Sequence, residues 1–286
     1  MPKFARIAGS KGPRWVMAHQ NELIALDATV PAGTDDIAAF LALSKDGASA
    51  SALSKGERLD PSQVEWLMPI QRPGKVVCLG LNYAAHAAEG GNKTPDYPAF
   101  FLRATSSLIA HQAPLVRPRV STHLDFEAEL AVVIGRRARH LTMENALQAV
   151  AAYSCFNDGS LRDYQRKSTQ WTIGKNFDGT GPFGPWLVPA ADLPPGAEGL
   201  HIESRLDGQV MQSDNTSNMI VSTAYALVLL SEAVTLEAGD VIAMGTPSGV
   251  GYARKPPVFM QPGQKIEIEI EGIGVLSNPI VQEGEA

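Results

Sequence analysis

Two glutamates separated by a single residue are the first feature of the sequence that could do chemistry. Glu127 and Glu129 lie in the apolar stretch 125–134, and a strand, whose side chains alternate between two faces, would place both carboxylates on one face. Neighbouring buried carboxylates repel each other and resist ionisation unless a cation lies between them. Oxygen donors without Cys or His at ligand spacing favour Mg²⁺ or Mn²⁺ over zinc, and Ca²⁺ is also compatible. An exposed strand with two solvated glutamates fits this pair equally well.

A third carboxylate follows the next apolar stretch. Asp158 comes directly after residues 152–157, which are predicted to form a strand, so its side chain would emerge at the strand end beside a cleft. If the following loop opens into a helix, Arg162 and Gln165 lie one and two turns beyond Asp158. The guanidinium could then bind a substrate carboxylate, and the amide could orient a carbonyl or a water. A surface salt bridge from Arg162 to Asp158 or Asp163 is the alternative interpretation.

His86 and Glu89 have the spacing of neighbours on one helical turn. A carboxylate beside an imidazole raises its basicity and fixes its tautomer, which is the arrangement of a general base that activates water. The residues that follow, from Gly90 and Gly91 to a proline, have the composition of a mobile lid. An ordinary pair on an exposed helix is the commoner meaning of this spacing.

Two glycine-flanked segments could hold negative charge. Lys175 follows Gly174, and its ammonium could stabilise an enolate or oxyanion, although a surface lysine is the simpler interpretation. The segment 244–251 contains three glycines and two hydroxyl side chains, so its backbone N–H groups and Thr246 could bind a carboxylate. A glycine turn between strands would also explain the glycines.

The elements that must position these residues are mostly strands. Helices are predicted at 84–89, 144–150 and 223–233. Strands are predicted at 76–81, 98–103, 126–134, 152–157 and 241–244, and over the alternating isoleucines 266, 268 and 270. Asp207-Gly208 predicts a type I′ hairpin within 202–212. We therefore expect a mixed, mainly β (α+β) catalytic domain over residues 71–286.

The first seventy residues are predicted to form a separate domain. Short apolar stretches at 15–17 and 23–26 indicate strands, and 37–43 indicates a helix, so residues 1–70 would form a small N-terminal α/β domain. Two prolines and a glycine in 68–74 mark the boundary.

Composition excludes several classes of protein. The 286 residues are 44% hydrophobic, which is enough for a large core, and a net charge of −6 without a basic block argues against a nucleic-acid partner. No apolar run reaches the roughly 18–20 residues that cross a bilayer, and the start lacks a signal-peptide core, so we expect a cytoplasmic protein. Cys78 and Cys155 lie in apolar stretches and are predicted to be buried, reduced thiols.

Taken together, the segments resemble the fumarylacetoacetate hydrolase family over residues 75–281. The motifs occur in the family's order: Gly80-Leu-Asn-Tyr83, His86-x-x-Glu89, Asp125-Phe-Glu-Ala-Glu129, Asn157-Asp158 with Arg162-Asp163 and Gln165, Gly174-Lys175-x-Phe-Asp178, Gly245-Thr-Pro-x-Gly-Val-Gly251 and Pro262-Gly263. The resemblance implies a β-roll core, usually in a homodimer, with a small N-terminal domain in longer members.

The resemblance also implies a role for each motif. The implied roles are Mg²⁺ or Mn²⁺ ligands for Glu127, Glu129 and Asp158, water activation for His86 and Glu89, oxyanion stabilisation for Lys175, and substrate binding for Tyr83, Arg162, Gln165 and Thr246. The implied partner is a small keto acid that carries a carboxylate.

The sequence departs from the family pattern at two places. Arg103 stands in Phe101-Leu-Arg103 where many relatives have a lysine followed by proline, so the local contact is expected to differ. Gly159-Ser160 stands where many relatives have Val followed by Ser or Thr, which would widen the pocket beside the metal. Neither departure was expected to affect a proposed metal ligand.

Hydrolysis is the reaction that these residues favour. With both His86 and Glu89 present, activated water would cleave a carbon–carbon bond in a β-diketo acid such as an acylpyruvate. Decarboxylation of oxaloacetate-type acids and isomerisation of 2-hydroxymuconate-type acids use the same kind of site and stay open. A binding protein that keeps the fold without turnover is the alternative outside enzymes.

Overall fold

The computed structural model describes residues 1–26, 34–46 and 56–285, and strands dominate its secondary structure. The strands are β1 (Phe4–Ile7), β2 (Arg14–His19), β3 (Glu22–Ala25), β4 (Arg58–Leu59), β5 (Trp66–Leu67), β6 (Val76–Gly80), β7 (Ala99–Arg103), β8 (Leu108–Ile109), β9 (Leu115–Arg117), β10 (Leu124–Asp125), β11 (Ala128–Ile134), β12 (Val150–Asn157), β13 (Ser160–Leu161), β14 (Gly181–Pro189), β15 (His201–Leu206), β16 (Gln209–Asn215), β17 (Val241–Ala243), β18 (Lys265–Ile270) and β19 (Gly274–Gln282). The α-helices are α1 (Asp36–Asp46), α2 (Ala84–Glu89), α3 (Arg162–Gln165), α4 (Thr172–Lys175) and α5 (Thr223–Ala233). The expectation of a mainly β fold with few helices is confirmed.

Two large sheets organise the chain. The larger has the order β4-β3-β2-β1-β14-β12-β11-β17-β6-β7, with β5 beside β1 and β8 beside β14. The smaller has the order β16-β15-β18-β19-β9, and β10 pairs with β13 separately. Strands β11 and β12 therefore lie near the middle of the large sheet, where side chains are covered on both faces.

Strand β11 contributes to a hydrophobic core on each of its faces. Leu130 and Val132 pack in a core that includes Ile268 of the smaller sheet and Leu227 of α5. Ala131 and Val133 face the opposite core. All seven residues of β11 are buried, so the strand is a rigid support for the glutamates at its start.

The N-terminal strands extend the large sheet. Strand β1 pairs with β14 through Phe4 and Leu187, and Phe4 and Phe40 pack in the same core as Val133. In its described residues, 1–26, 34–46 and 56–70, the segment contains short strands and the α-helix α1, as expected. The division at residue 70 stays a prediction.

The structure contains the predicted hairpin at Asp207-Gly208 but not the helix predicted at 144–150. Asp207 and Gly208 have φ of 49° and 80°, so the hairpin between β15 and β16 has the positive φ values that a type I′ turn needs. The helix predicted at 144–150 is wrong: only a short 3₁₀ turn, Ala146–Ala149, forms, because Val150 already pairs with Ile134 in the sheet.

The structure also bears on the state of the two cysteines and on membrane-spanning helices. Cys78 and Cys155 are free and buried, as predicted. Within the described ranges, no helix has the length and apolar character needed to span a membrane.

Candidate active site

Strand pairing explains why three distant carboxylates meet. Ala128, at the start of β11, pairs with Asn157 at the end of β12, so Glu127 and Glu129 on either side of Ala128 lie beside Asp158. Each of the three offers a carboxylate oxygen within 4.8 Å of the others, and all three side chains are buried. The structure therefore brings the three predicted metal ligands together.

Cations surround two of these carboxylates. The Lys175 ammonium lies 2.7 Å from Glu127 and 2.5 Å from Asp158. A guanidinium nitrogen of Arg162 lies 2.7 Å from Glu127, and Arg103 donates to Asp158 over 2.5 Å. Glu129 has no ion pair with a described residue, and its carboxylate accepts one hydrogen bond, from the Gly245 N–H at 2.9 Å.

The protonation of the cluster follows from this asymmetry. Burial and the nearby charges of Asp158 and Glu127 raise the pKa of Glu129 well above its ordinary value. Burial alone would raise the pKa of Glu127 too, but Lys175 and Arg162 outweigh it and lower that pKa. Burial alone would lower the pKa of Lys175, yet Asp158 and Glu127 outweigh it and raise that pKa. Lys175 is consequently an ammonium at neutral pH, and Glu129 is the carboxyl group of the cluster whose ionised form the described protein groups stabilise least.

A hard divalent cation fits this cluster. Three oxygens bound to one cation at about 2.0–2.6 Å lie within about 4–5 Å of one another, which is the spacing found here. The donors are all carboxylate oxygens, which suit Mg²⁺, Mn²⁺ or Ca²⁺. A dication would also supply the opposite charge that Glu129 lacks.

A close approach of backbone at Gly174 places Lys175. A Cβ at Gly174 would lie 2.3 Å from the backbone nitrogen of Gln165, so only glycine lets α4 pack this tightly against α3. Lys175 ends α4, and its side chain is only 2% exposed. The glycine that precedes Lys175 is thus required for the position of the ammonium.

The predicted histidine–glutamate pair forms on α2. His86 Nδ1 lies 2.8 Å from Glu89 Oε1, and the other Glu89 oxygen accepts from the Gly249 N–H at 2.8 Å. His86 is buried and no described residue hydrogen-bonds its Nε2. This nitrogen is therefore available to exchange a proton with a molecule in the cavity that His86 lines.

The glycine-rich loop binds the protein's own carboxylates. The N–H groups of Gly245, Gly249 and Gly251 donate to Glu129, Glu89 and Asp125, respectively. These three N–H groups hold carboxylates, as the pattern predicts, but the carboxylates belong to the protein, so these three donors are not available to a substrate. Thr246 does line the cavity, and its hydroxyl oxygen accepts from Gln212 at 2.7 Å.

Arg162 forms different ion pairs from those that the alternative interpretation named. Its Nε donates to Asp125 over 2.8 Å and its Nη1 to Gln165 over 2.9 Å. Nη2 lies 2.7 Å from Glu127 Oε1, but the angles of this ion pair are outside hydrogen-bond geometry. No described residue accepts a hydrogen bond from Nη2. A substrate carboxylate could accept from this nitrogen.

The two departures from the family pattern have structural consequences. Arg103 is buried and binds Asp158 directly, so the expectation that no proposed ligand is affected is wrong. Gly159 does not widen the pocket, because a Cβ there would lie 2.1 Å from the carbonyl oxygen of Thr180, and the backbone already fills that space.

One cavity of about 370 Å³ collects most of the predicted residues. Its lining includes two of the carboxylates, the predicted base, the ammonium and three of the four predicted substrate contacts: Glu127, Glu129, His86, Lys175, Arg162, Gln165 and Thr246. Tyr83 is not brought there, since it is fully buried and outside the lining. The lining also contains large side chains to which sequence reasoning assigned no role: Phe101, Arg166, Trp171 and Tyr252.

A β-rich core with buried carboxylates and a proton-transfer pair in one cavity is typical of enzymes that act on small anionic molecules. The family model described as fumarylacetoacetate (FAA) hydrolase C-terminal matches residues 75–281. The chain belongs to the fumarylacetoacetate hydrolase family.

Relatives and solved structures cover most of the chain. A Rattus norvegicus protein named oxaloacetate tautomerase Fahd2a, mitochondrial, is 40% identical over 221 residues, which span 77% of this chain and 70% of the rat protein. The structure of a fumarylacetoacetate hydrolase from Exiguobacterium antarcticum has a TM-score of 0.85 and 34% identity, covering 99% of this chain and 100% of that chain. That of a 5-carboxymethyl-2-hydroxymuconate delta-isomerase from Mycobacterium smegmatis has a TM-score of 0.78 and 32% identity, covering 99% and 100%. The family resemblance is confirmed, and the relatives include both hydrolases and isomerases.

Proposed function

We propose that the protein interconverts the keto and enol forms of oxaloacetate or a closely related 2-keto dicarboxylic acid, with the aid of Mg²⁺ or Mn²⁺. The observation that carries the proposal is His86: Glu89 holds its Nδ1, and no described residue hydrogen-bonds its Nε2 in the cavity that Glu127 and Glu129 also line. The 40% identity to a protein named oxaloacetate tautomerase supports this choice of reaction and substrate.

The reaction needs only proton movement. In the direction of the enol, the C3–H bond breaks and its proton passes to His86 Nε2, while the electron pair forms the C2–C3 double bond. The C2 oxygen then takes up a proton and His86 Nε2 gives up the one that it accepted, so the protein returns to its starting state and no water is consumed. A dication held by Glu127, Glu129 and Asp158 would supply a Lewis acid that stabilises negative charge on the C2 oxygen.

Other side chains hold charge or position the substrate. Lys175 stays protonated because its pKa is raised, so it stabilises the developing oxyanion and cannot serve as the base. Glu89 fixes the tautomer of His86 and stabilises the imidazolium that forms. Arg162 Nη2 and the Thr246 hydroxyl are the donors that we assign to the substrate.

Hydrolysis of an acylpyruvate is the second candidate. The structural similarity to a fumarylacetoacetate hydrolase over 99% of the chain favours it, and the His86–Glu89 pair could equally activate water. Water would add to the distal carbonyl, the carbon–carbon bond would break, and the released carbon would take up a proton. The expected homodimer and cytoplasmic location stay predictions.

A product-resolved assay at fixed Mn²⁺ separates the two reactions. The enol of oxaloacetate absorbs in the ultraviolet, so its loss to the keto form is followed directly, while acylpyruvate cleavage is followed by its two products. We expect catalysed tautomerisation, reduced about 10²–10⁴-fold in His86→Gln. His201→Gln, an exposed histidine that contacts Ser213, is the matched control and should keep full activity. Undiminished tautomerisation in His86→Gln, or turnover of acylpyruvates alone, would refute the proposal.

A further inference from the structure

Arg166 is a cavity-lining cation to which no described residue offers an opposite charge. Its side chain is exposed at the cavity, and among the described residues it forms no ion pair or hydrogen bond. Its guanidinium carbon lies 4.4 Å from the centroid of the Tyr252 ring. Stacking on the ring restricts the guanidinium plane but leaves its N–H edge free to bind an anion.

Tyr252 connects this arginine to the rest of the site. The ring also lies 4.5 Å from the guanidinium carbon of Arg162, which itself pairs with Glu127. A Cβ at Gly90 would lie 2.5 Å from the Tyr252 hydroxyl, so this hydroxyl reaches the end of α2, the helix that carries His86. Tyr252 thus holds Arg166 in the same cavity, where no described carboxylate forms an ion pair with it.

The balance of charge in the cavity indicates which group Arg166 could bind. Four buried carboxylates, Asp125, Glu127, Glu129 and Asp158, face three buried cations, Arg103, Arg162 and Lys175. With a dication bound and all four carboxylates ionised, the sum of these charges is one positive charge, which offsets a single substrate carboxylate. A second carboxylate therefore needs a further cation, and Arg166 is the lining cation that nothing in the described chain neutralises.

We propose that Arg166, stacked on Tyr252, binds the second carboxylate of the substrate, the one farthest from Glu127, Glu129 and Asp158. The proposal rests on the proposed function and makes Arg166 the residue that distinguishes dicarboxylic from monocarboxylic 2-keto acids. A guanidinium binds a carboxylate through two parallel hydrogen bonds, so the recognition is both electrostatic and geometric.

The test compares two inert ligands that differ only at the far end. Malate and lactate share a 2-hydroxy acid group, and malate alone carries a second carboxylate. Their affinities for the Mg²⁺-loaded protein are measured by calorimetry, without turnover. We expect the wild-type protein to prefer malate, and Arg166→Gln to bind malate roughly tenfold more weakly, equivalent to about 1.4 kcal/mol, with unchanged lactate affinity.

Lys167→Gln is the matched control. It removes the same charge from the next residue, whose ammonium lies over the Tyr164 ring and which does not line the cavity. This variant should keep the wild-type preference. Arg166→Gln with an unchanged malate-to-lactate ratio, or an equal loss for both ligands, would overturn the assignment.

The outcomes separate this inference from the proposed function. If Arg166→Gln loses the malate preference while the wild-type protein fails to tautomerise oxaloacetate, the carboxylate site stands and the reaction is wrong. If oxaloacetate is tautomerised but Arg166→Gln keeps the preference, the reaction stands and the carboxylate site is wrong.

Discussion

Replacing Arg103 with methionine should strongly destabilise the protein. The guanidinium is fully buried and donates to four oxygens, belonging to Ser107, Asp158, Gly159 and Thr180. Methionine fills much of the space but leaves Asp158 with one cation fewer. Removing one partner of a buried ion pair costs about 3–5 kcal/mol, a large part of the ~5–15 kcal/mol that stabilises a typical protein.

Urea unfolding in the presence of EDTA measures this loss without a contribution from metal. The matched control is Arg137→Met, because Arg137 lies 3.6 Å from Glu237 in an ion pair whose side chains are 77% and 47% exposed. Such a surface pair contributes about 0–1 kcal/mol. The double variant with Asp158→Asn should be less destabilised than the sum of its single variants, since the unpaired charge is then absent. An Arg103→Met protein as stable as the Arg137→Met control would refute the reasoning.

Three further predictions concern acid stability, packing and the base. Burial lowers the pKa of His111 to about 4, so the folded protein binds this proton more weakly than the unfolded chain. The free energy of unfolding therefore has its full His111 contribution above about pH 6.5, and it falls by up to about 3 kcal/mol as the pH decreases to 4. Urea unfolding at pH 7 and pH 5 should show this loss. The variant His111→Asn, which keeps an acceptor for the Ser277 N–H, should reduce it. An equal change in unfolding free energy between the two pH values in both proteins would show that His111 does not cause the loss. Gly174→Ala should separate α4 from α3 and lower both stability and turnover. Ile173→Ala, which changes an exposed residue of the same helix, should change neither. A fully active Gly174→Ala protein would show that the close approach is unimportant. Glu89→Gln should lower kcat, by less than the ~10²–10⁴-fold expected on loss of the base itself, with little change in KM; an unchanged kcat would remove its assigned role.

Local patterns indicated the three carboxylates, and the family resemblance implied that together they bind one metal ion. Period-two alternation identified Glu127 and Glu129, and the end of an apolar stretch identified Asp158. The pairing of Ala128 with Asn157 then brings them together, because β11 and β12 are consecutive antiparallel strands. Neighbouring strands of this kind often pair, so proximity could be expected from the order of the elements.

The remaining contacts depend on pairings that no local pattern contains. Arg103 binds Asp158 across 55 positions, and Gly245 binds Glu129 across 116. The pattern around Gly245 is that of an anion-binding loop, and only the three-dimensional structure shows that the anion is a carboxylate of the protein itself. Arg166 and Tyr252 meet for the same reason, across distant segments.

The helix prediction at 144–150 failed through tertiary context. The stretch is short, and its last residue, Val150, is more stable in the sheet beside Ile134 than in a helix of two turns.

Binding of Mn²⁺ to the chelator-treated protein tests the proposed centre most directly. Titration calorimetry should give one Mn²⁺ per chain, with binding abolished or greatly weakened in Glu129→Gln. This variant is chosen because Glu129 forms no ion pair with a described residue, so its loss leaves no described cation unpaired. Glu267→Gln, on the surface beside Arg205, should bind as the wild type does. A Glu129→Gln protein that binds Mn²⁺ with wild-type affinity would contradict the assignment of Glu127, Glu129 and Asp158 as the metal ligands.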